Sequence, residues 1–275
     1  VTGIAARMNV FNQLVGVVAM AAALASTTSH ADGDTPFLAT VAIERAPGST
    51  GPLDGLALST LHVADPARTA SSLANVDGIE VIAVSDASVR IRAAARPTIS
   101  GKVSDLERRS SWVVDFDEAA VRVLVDKLHA ASEQPATPAG LEHFVFEHIV
   151  NKSYSRSFDL ASRVAASGEG DCTEHAVLLA ALARANGYAA RVVLGNLVLE
   201  FDEDLLAFGH AWTEIHSDGA WEIRDATLPG HDPALRQARY IPLGSLADEG
   251  PAYVLSLVET MSAMPARISN VGVQP

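Results

Sequence analysis

The chain contains one cysteine, Cys172, and it stands where a cysteine can be reactive. Asp171 before it and Glu174 after it have the spacing of a capping box, which puts Cys172 at the first position of a helix. The positive end of the helix dipole favours a thiolate there. The two acids oppose it, and an imidazolium partner would restore the balance. The plain alternative is an inert packed cysteine, because cysteine fills cores well.

Candidate partners lie downstream. Asp218-Gly219 reads as a two-residue hairpin turn, so Ser217 faces Ala220 and His216 faces Trp221. Counting back along the two strands, Trp212 faces Asp225 and His210 faces Thr227. Side chains alternate between faces, so His210 and Asp225 share one face as diagonal neighbours, with Cβ atoms roughly 7 Å apart. A turn one residue longer, without a bulge, would put them on opposite faces. Cys172, His210 and Asp225 together suit nucleophilic acyl transfer. Thiolate attacks an amide carbonyl, imidazolium protonates the leaving amine, and the carboxylate fixes the imidazole tautomer. Water or a second amine then resolves the thioester. Taken singly, His210 also fits a hydrogen-bonded core histidine and Asp225 a turn or cap residue.

Four stretches carry a family resemblance: Gly170–Ala176 (GDCTEHA), the following LLAALARANGYAARVVLG, Gly209–Glu214 (GHAWTE) and Gly219–Thr227 (GAWEIRDAT). In order and spacing they resemble the transglutaminase-like superfamily, a papain-like group with a Cys-His-Asp triad. The resemblance covers about residues 141–229. It implies Cys172 as nucleophile, His210 as general base and acid, and Asp225 as the orienting carboxylate. It also implies an α+β, papain-like core, with a central Cys-bearing helix packed on an antiparallel sheet that carries His and Asp. Tyr154 resembles a tyrosine often found before the Cys helix. Thr173 stands where the animal crosslinking enzymes have Trp, which weakens crosslinking as the activity. Asp202-Glu203-Asp204 is too short, and lacks the ligand spacing, for a calcium loop.

Other residues near these motifs have two readings. Cys172, His175 and His210 number enough ligands for a catalytic zinc, but the resemblance accounts for them without metal, so no metal or cofactor is expected. Trp212 and Trp221 suit core packing or a wall of the substrate cleft, with Trp212 the one named as a cleft residue. The backbone N–H of Cys172 is one candidate oxyanion donor. A second is expected from the loop around Lys152–Tyr154, with Tyr154 the residue named.

These residues need elements to position them. Val121, Leu124, Val125 and Leu128 recur at helical spacing, which predicts an amphipathic helix over 117–131. A second helix is predicted over 139–150, with Leu141, Phe144, Val145 and Ile149 on one face. A short helix capped by Ser157 follows, running to Val164. The run Ala176–Ala183 is apolar on every side, so the Cys172 helix is central and buried, ending at Gly187. Strands are predicted over 190–199, 210–216 and 220–225. Upstream, 37–44, 56–63, 79–84, 89–93 and 111–116 read as short strands separated by turn residues.

Composition bounds the rest. A hydrophobic content of 48% and a charged content of 19% exclude a disordered chain. With 20 Lys and Arg against 33 Asp and Glu, the formal charge of −13 argues against nucleic acid as a partner. A single cysteine excludes an internal disulfide framework. Leu14–Ala25 is an apolar run of 12 residues, shorter than the roughly 20 that span a bilayer. With Arg7 ahead of it and Ser29-His30-Ala31 behind, it suits a secretory signal cleaved after Ala31.

The expected organisation is a signal peptide at 1–31, a β-rich region at 32–116, a catalytic domain at 117–245 and a C-terminal tail at 246–275. The expected protein is a periplasmic or secreted bacterial thiol enzyme acting on peptide or protein amide bonds, as hydrolase or acyl transferase, without stable membrane insertion after processing. The alternative is a non-catalytic transglutaminase-like domain that binds protein or cell-envelope partners.

Overall fold

The computed structural model of the protein describes residues 40–273, except 51, 54, 75, 77, 98–100, 132–135, 152–158, 202–203, 229–237 and 248. The expected signal segment, the Ser157 cap and Tyr154 therefore lie outside the described residues.

Among the described residues the N-terminal region holds β1 (Thr40–Arg45), β2 (Ala57–His62), α1 (Pro66–Leu73), β3 (Ile79–Val84) and β4 (Ser88–Ala93). Helix α1 was not among the expected elements. Its start is nonetheless well marked, because Oδ1 of Asp65 accepts the Arg68 N–H at 3.0 Å and Pro66 opens the first turn. Four helices follow: α2 (Ala119–Ala131), α3 (Pro138–His148), α4 (Ala161–Ser167) and α5 (Cys172–Ala185). The expected strand at 111–116 is instead a turn. The Ser111 N–H donates to the Val114 carbonyl at 3.2 Å, and Ser111 Oγ accepts the Val114 N–H at 3.1 Å. Val113 and Val114 are β-branched because they fill the helical core, where both are buried.

The remaining elements are β5 (Ala189–Phe201), β6 (Asp204–Ser217), β7 (Ala220–Arg224), β8 (Arg239–Ser245), α6 (Gly250–Ser262) and β9 (Arg267–Val273). Residues 246–275, expected as a tail, thus supply a helix and a strand. Among the described residues, nine strands form one sheet in the order β3-β4-β2-β9-β1-β6-β5-β8, with β7 beside β6. All pairs are antiparallel except β1 with β9.

Helix α5 is buried from Thr173 to Arg184. It lies across β5 and β6, packing on Val192, Leu194, Ala211 and Ile215, with α2, α3 and α4 around it. Thr213 Oγ1 donates to the Ala176 carbonyl at 2.8 Å and pins helix to sheet. The opposite face of β5 and β6 buries Val193, Leu197, Trp212 and Tyr240. A third apolar cluster, with Leu61, Leu73, Ile91 and Ile268, closes the N-terminal strands over β9. This is the mixed α+β architecture expected, with the cysteine helix at its centre. No helix among the described residues is long and apolar enough to cross a membrane.

Candidate active site

The start of α5 is built as its sequence requires. Asp171 Oδ1 accepts the Thr173 N–H at 2.8 Å, and Glu174 Oε2 accepts the Asp171 N–H at 3.1 Å, so both halves of the capping box form. Gly170 makes this possible. Its φ is +155°, and a Cβ there would lie 2.2 Å from Cβ of Glu174. The glycine lets Glu174 fold back over the chain, leaving Cys172 in the first turn.

Cys172 is partly exposed. Burial pushes its thiol well above the ordinary value, and the Asp171 charge adds to this. The backbone N–H of Ala211 opposes the rise by bonding the sulfur. Desolvation and a neighbouring carboxylate thus outweigh the helix dipole, and the thiol needs a partner to take its proton, as the flanking acids led one to expect.

The hairpin has the register the Asp-Gly turn dictates. Ser217 pairs with Ala220 and His216 with Trp221. Asp218 and Gly219 both have positive φ, 50° and 88°, as a primed turn requires. His210 and Asp225 share a face, and Nε2 of His210 donates to Oδ2 of Asp225 at 2.7 Å. Both side chains are buried. Nδ1 is then the ring nitrogen left to face another group. Cys172 and His210 meet through the backbone: the sulfur contacts the N–H of Ala211, the residue after His210. No hydrogen bond joins the thiol to the ring among the described residues.

Asp225 is held from several sides. The Tyr240 hydroxyl donates to Oδ2 at 2.8 Å and the Thr227 N–H to Oδ1 at 3.0 Å. The N–H of Asp225 itself donates to Oε1 of Glu142 at 2.7 Å. Burial works to raise this carboxyl, but the His210 charge and these donors prevail and hold it at about 2. It is therefore ionised throughout the neutral range. Tyr240, Glu142 and Thr227 were not singled out from the sequence. Thr227 lay on the hairpin register, whereas Tyr240 and Glu142 reach the site from distant elements.

Trp212, considered for the cleft wall, is fully buried, with its ring edge-on to Tyr240 at a centroid distance of 5.1 Å. It packs the core because it alternates into the sheet face opposite α5. Trp221 is also fully buried, beneath the Arg191 guanidinium at 4.2 Å. His175 lies inside α5, fully buried, its ring Nδ1 donating to the Asp171 carbonyl. Among the described residues there is no cluster of three or more His, Cys, Asp and Glu side chains placed to hold a metal ion.

Residues 124–226 match the family model of the transglutaminase-like superfamily, a span that includes Cys172, His210 and Asp225. A comparison with curated proteins gave no match. Among solved structures, 14 chains match. A candidate cysteine protease from Cytophaga hutchinsonii aligns at 17% identity and a TM-score of 0.43, covering 70% of this chain and 78% of that one. The periplasmic domain of TgpA from Pseudomonas aeruginosa, bound to ethylmercury, aligns at 18% identity and a TM-score of 0.39, covering 73% and 86%. The cysteine helix and the antiparallel hairpin it lies on both fall within the segment 124–226 that matches the transglutaminase-like superfamily.

Proposed function

We propose that this protein is a thiol enzyme acting on amide bonds of peptides or proteins, with Cys172 as nucleophile, His210 as general base and acid, and Asp225 as the orienting carboxylate. The observation that carries this reading is the buried 2.7 Å hydrogen bond from His210 Nε2 to Asp225 Oδ2, formed where the first turn of α5 meets β6. It commits Nε2 and leaves Nδ1 for the thiol. Because burial keeps the thiol protonated, Nδ1 takes the proton as Sγ attacks the carbonyl carbon. The imidazolium returns that proton to the nitrogen as the C–N bond breaks, which leaves a thioester and a free amine. Water or a second amine then attacks the thioester, its proton passing through the same ring to the departing sulfur. The catalytic domain spans about 117–245. The signal-like run Leu14–Ala25 supports export to a periplasmic or extracellular site.

Because Cys172 is the single cysteine, iodoacetamide reports on it alone. Labelling rate against pH is measured for the protein and for Cys172→Ala, His210→Ala and Asp225→Ala. Cys172→Ala abolishes labelling and turnover. His210→Ala slows labelling at neutral pH. Asp225→Ala is milder on labelling and severe on turnover, since it orients the base rather than attacking. If His210→Ala leaves the profile unmoved, Cys172 is a packing residue and a binding domain replaces the enzyme. A peptide library with added amine separates hydrolysis from transfer.

A further inference from the structure

Tyr240 lies on β8, far in sequence from the motifs of the site, yet its hydroxyl shares one oxygen with His210. Oδ2 of Asp225 accepts Nε2 of His210 at 2.7 Å and Oη of Tyr240 at 2.8 Å. A carboxylate oxygen has two lone-pair directions, and here both are used. Oδ1 is occupied by the Thr227 N–H at 3.0 Å. The carboxylate cannot turn without breaking a bond at each end.

The tyrosine is itself held firmly. It is fully buried, edge-on to Trp212, with its ring centroid 6.4 Å from that of His210. The Arg96 guanidinium lies 5.1 Å from its ring centroid, and the Tyr240 N–H donates to the Ala95 carbonyl at 3.1 Å. A segment from the N-terminal region thus fixes the residue that fixes Asp225. A rigid donor of this kind is what keeps a supporting carboxylate aimed.

We propose that Tyr240 is a positioning residue of the candidate triad, holding Oδ2 of Asp225 on Nε2 of His210 and so leaving Nδ1 as the ring nitrogen available to the thiol. The proposal rests on the triad reading above. Burial, followed by the Asp225 charge, pushes the Tyr240 phenol far above its ordinary value, so it remains a donor across the working range of pH. The other charged and titratable groups near Asp225 are His210 on β6, Cys172 on α5, and Glu142 on α3 with Arg224 and Arg96 beside it. Removing one hydroxyl leaves all of them in place.

The test is Tyr240→Phe, which keeps the ring and its packing. The midpoint of the Asp225 carboxyl, followed by carbon-13 NMR, rises from about 2 by about 0.5–1 unit. Iodoacetamide labelling of Cys172 at pH 7 slows about fivefold, the rate equivalent of one hydrogen bond. A variant that melts lower but moves neither readout overturns the proposal. If Tyr240→Phe does not fold, 3-fluorotyrosine at position 240 keeps the shape and donates more strongly. The His210 Nε2 proton resonance then moves upfield as the shared oxygen is drawn away, and an unmoved resonance overturns the proposal. The two readings fail separately. Labelling indifferent to His210→Ala removes the enzyme, whereas an unshifted Asp225 midpoint removes the role of Tyr240.

Discussion

The backbone N–H of Asp225 donates to Oε1 of Glu142 at 2.7 Å, which ties α3 to the end of β7. Glu142 Oε2 also lies 3.6 Å from Arg224. A buried N–H left without its acceptor loses about 1–3 kcal/mol. Glu142→Ala therefore destabilises the protein by about that amount in urea unfolding and slows Cys172 labelling by releasing Asp225. Glu142→Gln keeps a carbonyl acceptor and stays near the parent in both assays. Equal effects of the two substitutions would show that charge, not the hydrogen bond, matters there.

Asp171 raises the thiol of Cys172 by its charge while capping the helix that carries it. Asn caps as well as Asp. Asp171→Asn therefore keeps α5 intact and removes the charge, so the thiol loses a proton more readily. The labelling profile shifts to lower pH, and helicity by circular dichroism is unchanged. A shift to higher pH would contradict the electrostatics of this helix start.

Two carboxyls bound the pH range of greatest stability. Burial, followed by the Asp171 charge and hydrogen bond, pushes Glu174 up to about 7 from an ordinary 4.5. Its contribution is complete below about pH 4.5 and is lost as pH rises through 7. Asp225 runs the other way, at about 2 against an ordinary 3.8. Its contribution, about 2 kcal/mol, is present above 3.8 and is lost as pH falls toward 2. The urea midpoint at pH 5 thus exceeds those at pH 2.5 and pH 8.5. Glu174→Gln flattens the alkaline side.

Gly195 pairs with His210 across β5 and β6. A Cβ there would lie 2.2 Å from the Ile241 carbonyl oxygen and 2.7 Å from the Trp212 ring. Gly195→Ala must push β8 away, and with it Tyr240. Overpacking of this kind destabilises by about 1–3 kcal/mol. Urea unfolding and the Asp225 carboxyl titration should change together. Alanine tolerated without loss in either would mean that β8 yields freely.

What the sequence made readable was local. The capping box and the apolar run fixed α5, and one Asp-Gly turn fixed the face shared by His210 and Asp225, because register in a hairpin follows from its turn. Val121, Leu124, Leu141 and Val145 marked their helices by spacing alone. What escaped depended on distant partners. Pro242 sits in the middle of β8 and hides its strand character. It is tolerated because β8 is an edge strand, and Tyr240 was hidden with it. Val113 and Val114 have strand composition but a core-filling purpose. Asp65-Pro66 did announce α1, but the short helix behind it has few apolar side chains, and Thr69 is one of the three residues it buries. The pairing of β9 with β1 and β2 has no local signature, since the segments meet only in the finished sheet.

That last pairing has a consequence for how the protein is made. Strand β9 lies between β2 and β1, so until residues 267–273 have left the ribosome the sheet has a gap one strand wide, with β2 and β1 each missing a neighbour. The helical half can collapse early on contacts close in sequence, while β1 and β2, synthesised before it, must wait for residues 267–273. Synthesis order and assembly order are therefore reversed for β1 and β2. Ribosome-bound chains halted before Arg267 should remain protease-sensitive in β1 and β2, while α5 and its hairpin are already protected.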